Sequence, residues 1–273
     1  MIETVPALPW LPFSAKQAYQ SRDKRKEASL TRTVAEICTR LTVPVDVSAQ
    51  LKQAQNLCEV AFYNSPDRMR SKWHHYLEVY DRHLGRYRGS RIRLLELGVH
   101  NGGSLQMWRA YFGSRATIRG IDIDPRCAKI DDVDVSVHIG SQADTALLAR
   151  VIEAMGGVDV VIDDGSHIWE HQVATFEFLY PQLAPDGIYI CEDTHTSYWP
   201  EYKGEREGPS FIEYTKKLVD KLHATYALDT EAPDEVFARM TQTIAFYDSM
   251  VVIERRNKPA PQHVIVGERA VIV

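Results

Sequence analysis

Two stretches hold most of the side chains that could do chemistry: VDVVIDDGSH over 158–167 and GIYICEDTH over 187–195. Each is an aliphatic run that stops on a pair of carboxylates, Asp163-Asp164 in the first and Glu192-Asp193 in the second. Brought to one rim, four carboxylates repel and raise one another's pKa unless a cation lies among them. Hard oxygen donors with no thiolate favour Mg²⁺, with Mn²⁺ and Ca²⁺ as alternatives. A histidine follows each pair, His167 and His195. An imidazole beside a cation-bound hydroxyl can take its proton near neutral pH.

The pairs share a rim only if the two runs are neighbouring parallel strands. From Arg91 onward the sequence supplies such strands. RIRLLEL, ATIRGIDI, VDVSVHI, VDVVIDD and GIYICED alternate with stretches of helical composition over 103–112, 144–155 and 167–183. Alternation of this kind predicts a doubly wound α/β sheet, mostly parallel. TIAFYDSMVVIER near the end reads as two strands about a tight turn at Asp248-Ser249. They complete a seven-stranded, Rossmann-like sheet with an antiparallel C-terminal edge. Residues 15–90 read as helical, with Trp73, Leu77, Tyr80 and Leu84 on one face. The expected division is a helical N-terminal extension over 1–90 and a catalytic domain over 91–273.

In an open parallel sheet, ligands bind beyond the carboxyl ends of the strands. The first strand runs into LLELGVHNGGS. Gly98, Gly102 and Gly103 permit tight turns and close approach of backbone to a ligand. They do not follow the G-x-G-x-x-G dinucleotide spacing, because His100 stands where the second glycine would be. Glu96 at the loop's mouth would repel a pyrophosphate and suits a cation, such as the amino group of an amino-acid-like cofactor. Asp122, closing GIDID, can accept hydrogen bonds from ribose hydroxyls, with Asp124 capping the next helix before Pro125. Ser141 and Gln142 in IGSQAD could address an adenine edge. The three strand ends together outline a pocket for S-adenosylmethionine.

The motifs ELGxxxGGS (with Ser104 as its last residue), GIDID, GSQAD, IDDGSH and EDTHTSYW resemble the class I S-adenosylmethionine-dependent methyltransferases. The resemblance is to their metal-dependent branch acting on macrolide sugars, the macrocin and mycinamicin O-methyltransferase type. It covers about 91–200 and the strand pair near 243–256. It implies that Asp164, Glu192 and Asp193 hold the metal and that His167 is the base, while Asp163 is left to hold the cofactor side or to orient its neighbours. The implied reaction is methyl transfer to a sugar hydroxyl of a glycosylated small molecule or glycan precursor. Two other classes share these features: a metal-dependent oxygenase or hydrolase on the same scaffold, and a non-catalytic cofactor-binding subunit. His167 to His171 also spells H-x-x-E-H, an inverted zinc-peptidase spacing. That motif belongs inside a helix, whereas here it directly follows a strand end and Asp-Asp-Gly-Ser, so Glu170 and His171 are expected at the rim or in solvent. Tyr198 and Trp199, ahead of the polar PEYKGEREG, suit a lid over a pyranose ring.

Composition sets the remaining bounds. With 273 residues, 44% hydrophobic and 25% charged, the chain is an ordinary globular one. It lacks an apolar run of the roughly 20 residues a membrane-spanning helix needs. Residues 1–90 carry 14 basic and 9 acidic side chains, and the remainder 18 and 28, for an overall charge of -5. An acidic catalytic domain argues against a nucleic-acid partner. The run Arg22-Asp23-Lys24-Arg25-Lys26 is expected to be a solvated helix face. Glu3 and three prolines in MIETVPALPWLPF argue against an export signal. Four cysteines without a CxxC pair point to free thiols in a reducing cytoplasm. The amphipathic extension suggests a homo-oligomer.

Overall fold

The structure, a computed structural model, describes residues 36–37, 40–64, 67–130, 135–227 and 235–267. The Arg22–Lys26 run and Cys38 lie outside them. Among the described residues, the sheet is preceded by α1 (Val47–Gln53), α2 (Leu57–Tyr63) and α3 (Tyr76–Leu84). Alternation of strand and helix follows: β1 (Arg93–Leu97), α4 (Gly103–Phe112), β2 (Thr117–Asp122), β3 (Val135–Ile139), α5 (Thr145–Met155), β4 (Val158–Asp163), α6 (Trp169–Leu179) and β5 (Leu183–Cys191). Helices α7 (Phe211–Leu222) and α8 (Glu235–Met240) precede the hairpin of β6 (Thr241–Tyr247) and β7 (Met250–Arg255).

The strands form one sheet in the order β3-β2-β1-β4-β5-β7-β6. Strands β1 to β5 pair in parallel, while β7 runs antiparallel to both β5 and β6. The doubly wound sheet with an antiparallel edge is thus as the sequence predicts, including the turn at Asp248-Ser249. Strand β5 starts earlier than expected, at Leu183, because its first residues bulge against β4 between Val158 and Val160.

Both faces are covered, so neighbouring residues within a strand enter opposite cores. Leu94 and Val160 pack with Trp108 and Phe112 of α4 and with Tyr76, Leu77, Tyr80 and Leu84 of α3. Leu95 and Val161 pack with Leu148 of α5, Phe176 and Leu179 of α6, and Phe211 of α7. The α3 stripe is therefore integral to the core, except that Trp73 precedes the helix. Register brings the rim together. Leu97 pairs with Asp163, and Asp163 pairs with Cys191, so residues 98, 164 and 192 leave the sheet side by side. The switch point between β1 and β4 lies at this rim, where strand order reverses and ligands bind in such sheets. Cys58, Cys127 and Cys191 are buried free thiols.

Candidate active site

The loop between β4 and α6 carries Asp164 and His167, and the turn leaving β5 carries Glu192 and Asp193. His167 and Asp193 both hold left-handed backbone, φ 56° and 52°. For non-glycine residues such conformations cost on the order of 1–3 kcal/mol and concentrate at functional sites. Here they turn the side chains toward one another. His167 Nε2 lies 3.8 Å from Asp164 Oδ1 and 3.8 Å from Asp193 Oδ2. One atom from each of these three residues falls within 4.8 Å of the others. His167 is 5% exposed, and its ring edge meets Tyr202.

The opposite oxygens of the acids are held by a segment nearly a hundred residues upstream. Lys72 Nζ donates to Asp164 Oδ2 at 2.6 Å and to both oxygens of Glu192 at 2.9 and 2.7 Å, and stands 3.8 Å from Glu96 Oε1. Its side chain is 3% exposed. Burial alone would lower its pKa, but Asp164, Glu192 and Glu96 outweigh that and hold the ammonium charged, well above its ordinary value. Tyr80 donates to Glu192 Oε1. Asp193 Oδ1 accepts from Trp73 Nε1 at 3.1 Å and from the Tyr76 hydroxyl at 2.8 Å. Burial raises the Asp193 pKa, yet His167, His195 and Tyr76 bring it below the usual range. Sequence reasoning placed Trp73 and Tyr80 on one helix face, did not single out Lys72 or Tyr76, and gave none of the four a part in the site. Tyr76 and Tyr80 share a helix face at a spacing of four, but Lys72 precedes that helix, so no spacing in the sequence ties it to them.

The expected cofactor residues fall into two groups. One lines the rim: Gly98, Gly102, half-buried Asp122 and half-buried Ser141. Gly98 has φ +84°, and a Cβ there would stand 2.0 Å from the Asp164 carbonyl oxygen, so this glycine permits the two loops to touch. Both Asp122 oxygens accept backbone N–H groups, from Val99 and His100 on one and Asp124 on the other, which ties the glycine loop to the end of β2. Ser141 caps its own turn, its hydroxyl accepting from Ala143 N. Asp124 caps the turn at Pro125.

The other group lies beneath the rim. Glu96 is fully buried, accepts from Ser104 Oγ at 2.8 Å and faces the protein's own cation, Lys72. Burial pushes it up to about 7, against the pull of Lys72. Asp163 is also fully buried, accepting from Gln142 Nε2 at 2.9 Å and Tyr189 OH at 2.6 Å. Burial lifts it to about 6, while those two donors pull it down. Gln142 spends its second N–H on Thr175, and its Oε1 accepts from Ser166 N at 2.6 Å. The chain Tyr189–Asp163–Gln142–Ser166 thus fixes the loop that carries His167, and the Gln142 amide hydrogens are committed inward.

His171 does not converge with His167. Its Nδ1 meets Ser166 Oγ at 3.0 Å, and Glu170 pairs with Lys203 at the surface. His195 bonds Ser249 Oγ of the hairpin turn and packs edge-on against Trp199. Burial lowers its pKa. Trp199 is half-buried, whereas Tyr198 is exposed beneath Arg206.

No protein-family model matches the chain. It is 34% identical over 197 residues to 8-demethyl-8-alpha-L-rhamnosyl tetracenomycin-C 2'-O-methyltransferase of Streptomyces olivaceus, covering 68% of this chain and 52% of that one. It is 34% identical over 199 residues to demethylmacrocin O-methyltransferase of Streptomyces fradiae, covering 67% and 50%. The MycE methyltransferase of the mycinamycin pathway, solved with Mg, SAH and mycinamycin VI, superposes with a TM-score of 0.63 at 30% identity, over 78% of this chain and 54% of that one. The chain spans about half the length of the curated relatives it matches. In sequence and in fold it is a relative of the macrolide and tetracenomycin sugar O-methyltransferases, with the seven-stranded Rossmann-like methyltransferase sheet.

Proposed function

We propose that the protein transfers a methyl group from S-adenosylmethionine to a sugar hydroxyl of a glycosylated small molecule, at a divalent-metal centre. The observation that carries this reading is the convergence of Asp164 Oδ1, Asp193 Oδ2 and His167 Nε2 at the rim. The donor chemistry fits a hard divalent cation, Mg²⁺ above all, with Mn²⁺ and Ca²⁺ as alternatives. Asp164 and Asp193 each have one oxygen engaged within the protein and turn the other outward. Glu192 completes the proposed ligand set. Three of the about four lone-pair positions of a carboxylate are taken by Lys72 and Tyr80, which leaves one on Oε2.

A cation held there would acidify and orient a bound hydroxyl. His167 takes the proton, since its Nε2 faces the gap between the two aspartates. On this reading the cofactor lies along the ends of β1, β2 and β3, against Gly98, Gly102, Asp122 and Ser141. Glu96, Ser104, Asp163 and Gln142 support that surface from below. Methyl transfer then depends mainly on alignment of the acceptor oxygen with the methyl carbon. A reducing, cytoplasmic setting accords with the three buried thiols. Among the described residues no helix is long and apolar enough to cross a membrane. Self-association is proposed through the apolar residues exposed before α2, Val43, Val45 and Val47 among them. Light scattering on the purified protein checks it.

The test of function is a panel of rhamnosylated aglycones incubated with protein, S-adenosylmethionine and Mg²⁺, with products weighed by mass spectrometry. A single methyl gain on the sugar of at least one acceptor is expected. Tight cofactor binding with no methylated product on any acceptor would favour a non-catalytic subunit.

A further inference from the structure

Lys72 belongs to no strand end and to none of the motifs that mark the rim, yet its side chain is buried among the acids of the site, 3% exposed. Its donors are divided between Asp164 and Glu192, and Glu96 stands 3.8 Å away. It reaches them from a segment that crosses the glycine loop. A Cβ on Gly103 would stand 2.4 Å from the Met69 carbonyl oxygen, and one on Gly102 would stand 3.0 Å from Arg68 Nη1. Three further donors, Trp73, Tyr76 and Tyr80, leave the same segment for Asp193 and Glu192. Every carboxylate of the proposed ligand set is thus oriented by residues 72–80.

An ammonium bound this way has two effects. It fixes the rotamers of Asp164 and Glu192, because three acceptor oxygens converge on one nitrogen. It also offsets one of the three negative charges of Asp164, Glu192 and Asp193, leaving a net of two. A buried positive charge beside a cation site opposes binding of a second cation far more strongly than in water. We propose that Lys72 is a positioning residue whose ammonium orients the acidic ligands and matches their charge to a divalent cation, so that the metal binds reversibly. This rests on the metal reading above.

The experiment is calorimetric titration of Mn²⁺ alone into the protein, without cofactor or acceptor. K72M is expected to bind Mn²⁺ at least about tenfold more tightly, because the loss of one opposing charge a few ångströms away outweighs the looser orientation of the ligands. K72R, which keeps the charge, should stay within about threefold of the wild type, a difference worth less than one hydrogen bond. If K72M does not fold, K72Q is neutral and able to donate to a carboxylate, and it carries the same expectation. Unchanged or weakened Mn²⁺ binding in the folded neutral variant, or equal tightening in K72R, overturns the role of Lys72 alone. Wild-type protein that takes up no Mn²⁺ overturns the metal reading with it. Activity supplies a second readout: kcat should fall in K72M and recover in part in K72R, with KM for S-adenosylmethionine little changed.

Discussion

Gln142 separates two accounts of the same pocket. If its amide reads the adenine edge, removing it costs cofactor affinity and little else. The structure instead commits it to Asp163, Thr175 and Ser166 N, in a position 6% exposed. Gln142→Ala deletes a hydrogen bond to a buried carboxylate, worth about 1.5–3 kcal/mol, and two neutral ones, to Thr175 and Ser166 N, worth roughly 0.5 kcal/mol each. The loss is therefore about 3 kcal/mol, before any cost of the space left behind. In a chain of this size each 1 kcal/mol moves Tm by roughly 2–4 °C, so melting should fall by about 6–12 °C. The freed Ser166 loop carries His167, so kcat should drop as well. Calorimetry should find the affinity for S-adenosylmethionine within about threefold of wild type, under 1 kcal/mol. A variant with unchanged Tm and a cofactor affinity weakened tenfold or more would refute the loop-anchoring role and restore Gln142 to the adenine pocket.

Further expectations concern the rim and one buried acid, Glu96. His167→Ala should lower kcat by about two to four orders of magnitude at neutral pH, as loss of a general base does. Near-normal turnover would transfer the role to His195 or to water. Gly98→Ala places a methyl group against the Asp164 carbonyl at a φ that favours glycine, so urea titration should show a loss of more than about 2 kcal/mol. Wild-type stability would contradict the close approach of the two loops. Glu96, raised by burial from 4.5 to about 7, is less costly to bury protonated. Its contribution to stability is complete below about pH 4.5 and is lost as pH rises through about 7, which amounts to about 3 kcal/mol. Glu96→Gln should therefore be more stable than wild type at pH 8 and no more stable at pH 4.5. Parallel stability curves for the two proteins would contradict the burial argument.

The sheet was legible because the strands from 93 to 191 end on or just before glycine or acid, and the central ones, β1 and β4, are aliphatic runs dictated by burial on both faces. The acidic rim was legible for the same reason: carboxylates directly after such runs have nowhere else to go. What was not legible lies in pairings across long separations. Lys72 meets Asp164 and Glu192 from 92 and 120 residues away, and nothing local to either end announces the contact. Tyr80 was read only as part of one helical face; it is buried in the chain's own core, and its hydroxyl also serves Glu192. Glu96 was expected to face a cation such as the amino group of the cofactor, and the cation beside it in the structure is Lys72. The motif alone cannot distinguish an acid at a strand end that lines the pocket from one that supports its floor. Asp122 keeps the rim while Asp163 drops beneath it, because Tyr189 and Gln142 offer Asp163 buried donors.

The central claim is methyl transfer at a divalent-metal centre. Its most direct test is transfer of a methyl-labelled group from S-adenosylmethionine to a rhamnosylated acceptor, by protein stripped of metal with EDTA and then restored with Mg²⁺. Label should reach the sugar only after Mg²⁺ is restored, and Asp164→Asn should transfer none under either condition. Undiminished transfer by the stripped protein would contradict the metal's part in the reaction, and the absence of transfer under all conditions would contradict the reaction itself.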